Sequence, residues 1–235
     1  MQAAILAGGL GTRIRPLTEY IPKSMVPVKG RPFIDHQLEM MKKKGVDSIV
    51  LCLGHMHEKV TAHCGDGSRY GLEIKYSIEH EPLGTAGAIK NAENLLRNMF
   101  FVVYGDSYLT ADLREVFEHF SRRDKLALNA VYRNKNMIER SNISIRNGFV
   151  AEYDKKGNSN FEYIDYGLSI LRKEALALVK RKMSLEELFG KLIGRKELLA
   201  FEVPDRFYEI GSFKGINEFE SYLNSAGIAD AGGVT

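Results

Sequence analysis

Between Leu6 and Val28 the chain reads LAGGLGTRIRPLTEYIPKSMVPV, which sets Gly8, Gly9 and Gly11 close to Arg13, Arg15 and Lys23. Glycines lack Cβ atoms, so the backbone can approach an anion closely and turn its N–H groups toward it. Arginine offers a planar fork to phosphate oxygens and lysine a movable point charge. Together these residues describe a cradle for a polyphosphate. Two common phosphate motifs are excluded by counting: from Gly9 the third glycine of G-x-G-x-x-G falls on Ile14, and Lys23-Ser24 follows Pro22 rather than a glycine. Asp106 suits the same chemistry. It follows the apolar run Met99 to Tyr104, where a carboxylate is out of place in a core but well placed at a strand end for Mg²⁺.

Gly8 to Pro27 matches G-G-x-G-T-R-x-x-P-L-T and then P-K-x-x-x-P at every fixed position, and Glu81 to Gly87 reads E-P-L-G-T-A-G. On these residues the chain resembles the sugar-1-phosphate nucleotidyltransferases, which make an NDP-sugar and pyrophosphate from an NTP and a sugar 1-phosphate. The resemblance implies a single Rossmann-like α/β domain over residues 1–225, a mainly parallel mixed sheet flanked by helices, and Mg²⁺ as cofactor. It implies that Leu6, Ala7, Gly8, Gly9, Gly11, Thr12 and Arg13 hold the nucleotide, with Arg13 and Lys23 as the catalytic cations. Glu81, Gly84 and Thr85 form the second nucleotide loop, with Glu81 facing the base.

Asp106 looks like the family's metal aspartate, and Gly105 beside it belongs to the sugar-phosphate site. The second metal aspartate, expected in an Asp-x-Gly context, is replaced here by Glu209 in Glu209-Ile210-Gly211. In the acceptor half Lys156 falls where the family has a lysine, Lys155 replaces a glutamate, and Asp165-Tyr166-Gly167 stands for Asn-x-Gly. Lys156, Asp165 and Gly167 are thus the expected acceptor contacts, and these departures put a plain glucose or mannose in question. The EPLGTAG loop resembles guanylyltransferases for mannose 1-phosphate and heptose 1-phosphate, which places GTP first and leaves UTP and CTP open. A cytidylyltransferase for a non-sugar phosphate and a catalytically silent nucleotide-binding homologue are the alternatives. His55, His57, His63 and Cys64 bunch together, but their spacing does not reproduce the paired-ligand patterns of zinc sites.

The elements that must carry these residues follow from hydrophobic period. With 235 residues and 44% hydrophobic content the chain can bury one substantial core. A net charge of +3 from 33 basic and 30 acidic residues indicates neither a nucleic-acid groove nor a polybasic membrane patch. Cys52 and Cys64 give no disulfide framework, and the opening MQAAILAGG is too short and uncharged for a signal peptide, so a reducing cytoplasm is expected. Small-molecule substrates are the expected partners, and homo-oligomerisation is left open. Strands are expected over Met1–Ala7, Ser48–Leu53, Leu72–Ser77, Met99–Tyr104, Leu126–Tyr132, Tyr163–Leu171 and Leu198–Val203, with a hairpin at Asn147-Gly148. Helices are expected around Ile34, Leu38 and Met41, over Glu58–His63, Thr85–Arg97, Leu113–Ser121, Lys173–Lys182 and Ser212–Leu223, and over Ser184–Ile193 behind a Ser184/Glu187 capping box. Asp154 to Asn160 is a loop and residues 226–235 a flexible tail. The βαβ order at the front of the chain places ligands at the carboxyl ends of the strands, where both the cradle and Gly105-Asp106 fall.

Overall fold

The computed structural model describes residues 1–157 and 160–227. Residues 158 and 159 of the expected loop, and residues 228–235 of the expected tail, lie outside the described residues. The first apolar run forms strand β1 (Gln2–Leu6). The cradle follows it and ends in a small hairpin of β2 (Pro27–Val28) and β3 (Arg31–Pro32), which leads into α1 (Phe33–Lys43). Strand and helix then alternate through β4 (Ser48–Leu53), α2 (His57–Cys64), β5 (Glu73–Ile78), α3 (Gly84–Asn91) and β6 (Met99–Tyr104). The later half contains β7 (Ser107–Tyr108), α4 (Leu113–Ser121), β8 (Ala127–Arg133), β9 (Ile143–Arg146), β10 (Phe149–Tyr153) and β11 (Tyr163–Arg172). It closes with α5 (Leu185–Gly194), β12 (Leu198–Val203), β13 (Tyr208–Glu209) and α6 (Phe213–Ser225).

Among the described residues the main sheet has nine strands in the order β5-β4-β1-β6-β11-β8-β12-β10-β9. The first four are mutually parallel, β11 runs antiparallel to both β6 and β8, and β12 is parallel to β8. The order reverses at β1, whose neighbours β4 and β6 follow it at different distances along the chain. Such a switch point opens a crevice at the carboxyl ends, which is where the two candidate motifs meet. Both sheet faces are covered, as the unbroken apolar strands require. Phe101 and Val103 of β6 pack on one face with Ile34, Leu38 and Met41 of α1 and Phe219 of α6. Phe100 and Val102 pack on the other with Ile89 of α3 and Leu188, Phe189 and Leu192 of α5. No helix among the described residues is long and apolar enough to cross a membrane.

Local chemistry sets the boundaries. The capping box forms as expected: Glu187 N–H donates to Ser184 Oγ at 3.1 Å, and Ser184 N–H donates to Glu187 Oε2 at 2.8 Å. Asn147 and Gly148 both take positive φ, 52° and 78°, as a two-residue hairpin turn demands. Two expected helices come out shorter. The helix expected over Thr85–Arg97 stops at Asn91, with a single 3₁₀ turn after it, because Gln2 on β1 captures the chain. Its Nε2 donates to Leu95 O at 3.1 Å and its Oε1 accepts from Arg97 N–H at 2.6 Å, which turns the backbone into β6. The helix expected over Lys173–Lys182 is a 3₁₀ segment ending at Leu178. The residues beyond it are extended so that Met183 can brace α3: its carbonyl accepts from Ala86 and Gly87 N–H, and its own N–H donates to Leu83 O.

Candidate active site

The cradle is held open from within. Gly11 takes φ 63°, and its carbonyl accepts from Thr18 Oγ1 at 2.8 Å and from Ile14 N–H at 3.1 Å. Only glycine reaches that conformation without strain, and a Cβ there would lie 2.8 Å from Thr18 Cγ2. Gly105 lets the end of β6 lie flat on the cradle, since a Cβ on it would fall 2.6 Å from Leu6 O. Gln37, fully buried on α1, donates to the carbonyls of Tyr104 at 2.9 Å and Ser107 at 2.7 Å. The segment that carries Asp106 is therefore clamped on both sides.

Four charged groups converge at the ends of β1 and β6. Lys23 Nζ forms an ion pair with Asp106 Oδ2. The two-residue ladder of β13 with β7 pairs Glu209 with Ser107, and Ile210 N–H donates to Asp106 O at 3.0 Å. Around Gly211 the charged groups close in: a Cβ at this glycine would sit 2.8 Å from an Arg13 guanidinium nitrogen, 3.1 Å from Glu209 Oε2 and 3.5 Å from Asp106 Oδ2. A side chain there would have to displace these charged groups. Burial pushes the Glu209 carboxyl up from the ordinary carboxylate value, and the neighbouring Asp106 and Glu139 push it further, against Arg13 and Lys23. Two adjacent carboxylates beside two cations form an oxygen donor set of the kind a hard divalent cation takes.

The sign of that shift has a stability consequence. A carboxyl whose folded pKa is raised prefers its protonated form when folded, so Glu209 costs stability at neutral pH, and the cost disappears as pH falls through the raised value. Glu209→Gln is expected to raise Tm by a few degrees at pH 7–8, roughly 2–4 °C per kcal/mol relieved in a chain of this size. The gain should shrink on acidification, when the wild-type carboxyl protonates. Scanning calorimetry of the two metal-free proteins across pH 5–8 checks it, and a Tm that falls at neutral pH contradicts the site electrostatics.

From this centre a cleft of about 740 Å³ runs across the strand ends. Its walls include Leu6, Ala7, Gly8, Gly9 and Lys23 of the cradle, Glu81, Gly84 and Thr85 of the second loop, and Gly105-Asp106. Thr12 and Arg15 stand exposed on the cradle loop. Gly84 takes φ 74°, with Met183 O 2.7 Å from where its Cβ would be, and Thr85 Oγ1 accepts from Leu185 N–H at 2.7 Å. The second loop is thereby stapled to the start of α5.

Four expected contacts, Glu81, Lys156, Asp165 and Gly167, sit differently from the sequence-based expectation. Glu81, expected to face a base, is half-exposed, and its carboxylate is engaged by Arg181 and by Lys182 at 2.7 Å. Glu79, immediately after β5, also lines the cleft, and its Oε1 lies 2.7 Å from where a Cβ on Gly8 would be and 3.1 Å from one on Gly54. Burial raises the Glu79 carboxyl and the Leu83 N–H partly offsets it. Lys156 is exposed on the turn after β10, away from the cleft walls. Asp165 and Gly167 lie behind the wall rather than on it, with Asp165 enclosed by hydrogen-bond donors. His55 and His57 join the cleft lining, while His63 Nε2 bonds Asp35 Oδ1 at 2.7 Å and Cys64 packs into the core, so the four residues point apart. The signal that could have found Glu79 is the one that found Asp106: a carboxylate directly after a strand that ends at the ligand face.

Comparison with known proteins gives the family of the chain. The family model described as nucleotidyl transferase matches residues 2–141. D-glycero-alpha-D-manno-heptose 1-phosphate guanylyltransferase of Aneurinibacillus thermoaerophilus is 34% identical over 217 residues, covering 90% of this chain and 93% of that protein. Mannose-1-phosphate guanyltransferase of Saccharomyces cerevisiae is 32% identical over 236 residues, covering 96% of this chain and 65% of that protein. The crystal structure of HddC from Yersinia pseudotuberculosis complexed with GMP-PN superposes with a TM-score of 0.80 at 28% identity, covering 94% of this chain and 99% of that one. With the cradle, the paired carboxylates and the strand order already in place, these matches establish that the chain belongs to the nucleotidyl transferase family.

Proposed function

We propose that this protein is a sugar-1-phosphate guanylyltransferase, which joins GTP to a heptose or mannose 1-phosphate with release of pyrophosphate. The convergence of Arg13, Lys23, Asp106 and Glu209 beside the glycine cradle carries the reading. Nucleotidyl transfer needs cations where negative charge accumulates on the reacting and departing phosphates, and needs the attacking oxygen held in line with the α-phosphorus. Arg13 faces the leaving pyrophosphate and Lys23 the reacting phosphate, exchanging its pairing with Asp106 for the incoming anion. Asp106 and Glu209 would hold Mg²⁺, and the ion would supply Lewis-acid neutralisation of phosphate charge there.

The nucleophile is a sugar-phosphate oxygen, already ionised near neutral pH, so the chain supplies position and charge rather than a general base, and no covalent enzyme intermediate forms. Glu79 supports the choice of GTP. Guanine presents two adjacent N–H donors along one edge, which a carboxylate can accept together, whereas adenine offers an acceptor at the matching ring nitrogen. The two relatives named above, both guanylyl- or guanyltransferases by name, support the same choice. The test is pyrophosphate release with Mg²⁺, crossing GTP, UTP, CTP, ATP and dTTP with hexose, heptose and amino-sugar 1-phosphates and phosphocholine. Release that requires GTP together with a heptose or mannose 1-phosphate supports the reading; release with phosphocholine and CTP replaces it.

A further inference from the structure

Behind the wall of the cleft lies a buried carboxylate with every acceptor position taken. Asp165 is on β11 just before Gly167, whose φ of 79° accompanies an irregularity in the β11–β8 ladder. Its Oδ1 accepts from Gly167 N–H at 3.0 Å and from Asn129 Nδ2 at 3.4 Å. Its Oδ2 accepts from the Tyr153 hydroxyl at 2.8 Å and the Tyr104 hydroxyl at 3.1 Å. A carboxylate offers about four acceptor positions, so Asp165 has none left for a ligand. Its influence on the cleft must pass through one of its donors.

Tyr104 is the donor that reaches the cleft, where it lines the wall beside Gly105 and Asp106. Its hydroxyl is drawn back toward β11 and β10, on the side of β6 away from β1, β4 and β5. With the hydroxyl tethered to Asp165, the ring is the part of the Tyr104 side chain left to face the cleft. Glu79 follows β5 at the opposite end of the same strand row. A nucleotide that extends from Glu79 across the cradle brings its reacting phosphate to Asp106 at the end of β6, and the group beyond that point is the acceptor.

We propose that Asp165 is a positioning residue for the acceptor: it tethers the Tyr104 hydroxyl so that the ring forms an apolar floor under the C–H face of a pyranose 1-phosphate. The inference rests on the reading of the cleft as an NTP and sugar 1-phosphate site. An aromatic ring suits the apolar face of a sugar while leaving its hydroxyls to other partners. A free Tyr104 ring would instead swing on its side-chain torsions, and loss of the carboxylate would take from the Tyr104 and Tyr153 hydroxyls the acceptor they share.

Steady-state kinetics with GTP and either D-glycero-alpha-D-manno-heptose 1-phosphate or mannose 1-phosphate tests it on the full chain. Asp165→Leu is expected to raise the acceptor KM by about tenfold or more while the GTP KM stays within about twofold. Asp165→Asn, which keeps an oxygen and a polar amide for the same partners, should recover most of that loss. Tyr104→Phe, which keeps the ring and cuts only the tether, should raise the acceptor KM similarly, and the double variant Asp165→Leu/Tyr104→Phe should be little worse than either single one. If Asp165→Leu does not fold, Tyr104→Phe and Asp165→Asn carry the comparison. An unchanged acceptor KM in Tyr104→Phe, an equal rise in both KM values, or full additivity overturns the proposal. A wild-type protein silent with both acceptors overturns the guanylyltransferase reading and this inference with it.

Discussion

Asp106→Asn is expected to lower kcat/KM for pyrophosphate release by about 10³-fold or more, because preorganised charge at the reacting phosphate supplies much of the rate in such catalysis. The carboxylate is fixed both by its backbone and by its own ion pair: Gln37 holds the carbonyls of Tyr104 and Ser107, and Lys23 pairs with its Oδ2. The amide keeps the shape and loses the charge. GTP binding measured without metal by calorimetry should change little, since cradle and second loop are untouched. Folding should also be preserved, because the variant removes a like charge beside Glu209. A variant that retains more than a tenth of wild-type activity would show that Asp106 serves the loop rather than the reaction.

The second large effect is a change in nucleotide choice. Glu79→Gln is expected to lower kcat/KM for GTP by about 10²-fold, with the ATP value unchanged or slightly raised. In the proposed contact the carboxylate would accept from two guanine donors at once, whereas the amide would present one acceptor and one donor, so guanine would meet a mismatched N–H. Glu81→Gln serves as the control: its carboxylate is spent on Arg181 and Lys182, and the substitution should leave the GTP/ATP ratio within about threefold. Competition assays with equal GTP and ATP read the ratio directly. A larger shift in the Glu81 variant than in the Glu79 variant would reverse the assignment.

How much of this is visible in the sequence depends on whether the signal is contiguous. The cradle is legible because Gly8 to Lys23 forms one segment whose residue types are dictated by close backbone approach and phosphate charge. The parallel half of the sheet is legible too, since Ser48–Leu53 and Met99–Tyr104 are apolar runs bounded by turn residues. Glu209 can be placed by its Ile-Gly context, yet nothing local reveals the two-residue ladder that carries it across to Ser107. Such a short pairing has no periodicity to detect. Glu81 and Glu79 differ by two positions in a segment leaving a strand, and only the cationic residues 181 and 182, about a hundred positions later, decide which of them is occupied.

Asp165 illustrates the same limit in the acceptor half. Its anionic charge suggests a contact with sugar hydroxyls, but its donors come from β6, β8 and β10 and from a backbone N–H beside an irregular point in β11. A sequence shows the acceptor without the donors that consume it. The cost of leaving a buried carboxylate unpaired explains why both Asp165 oxygens are engaged, while Asn129 Oδ1 in the same cluster has no hydrogen-bond partner among the described residues.

The most direct test of the central claim is a single phosphorus NMR time course on the wild-type protein with GTP, Mg²⁺ and D-glycero-alpha-D-manno-heptose 1-phosphate or mannose 1-phosphate. The account predicts loss of the sugar 1-phosphate resonance with equal growth of pyrophosphate and of the two coupled resonances of a GDP-sugar, and no reaction when the sugar phosphate is omitted. Consumption of GTP to GDP and inorganic phosphate, or to GMP and pyrophosphate without the acceptor, would contradict it.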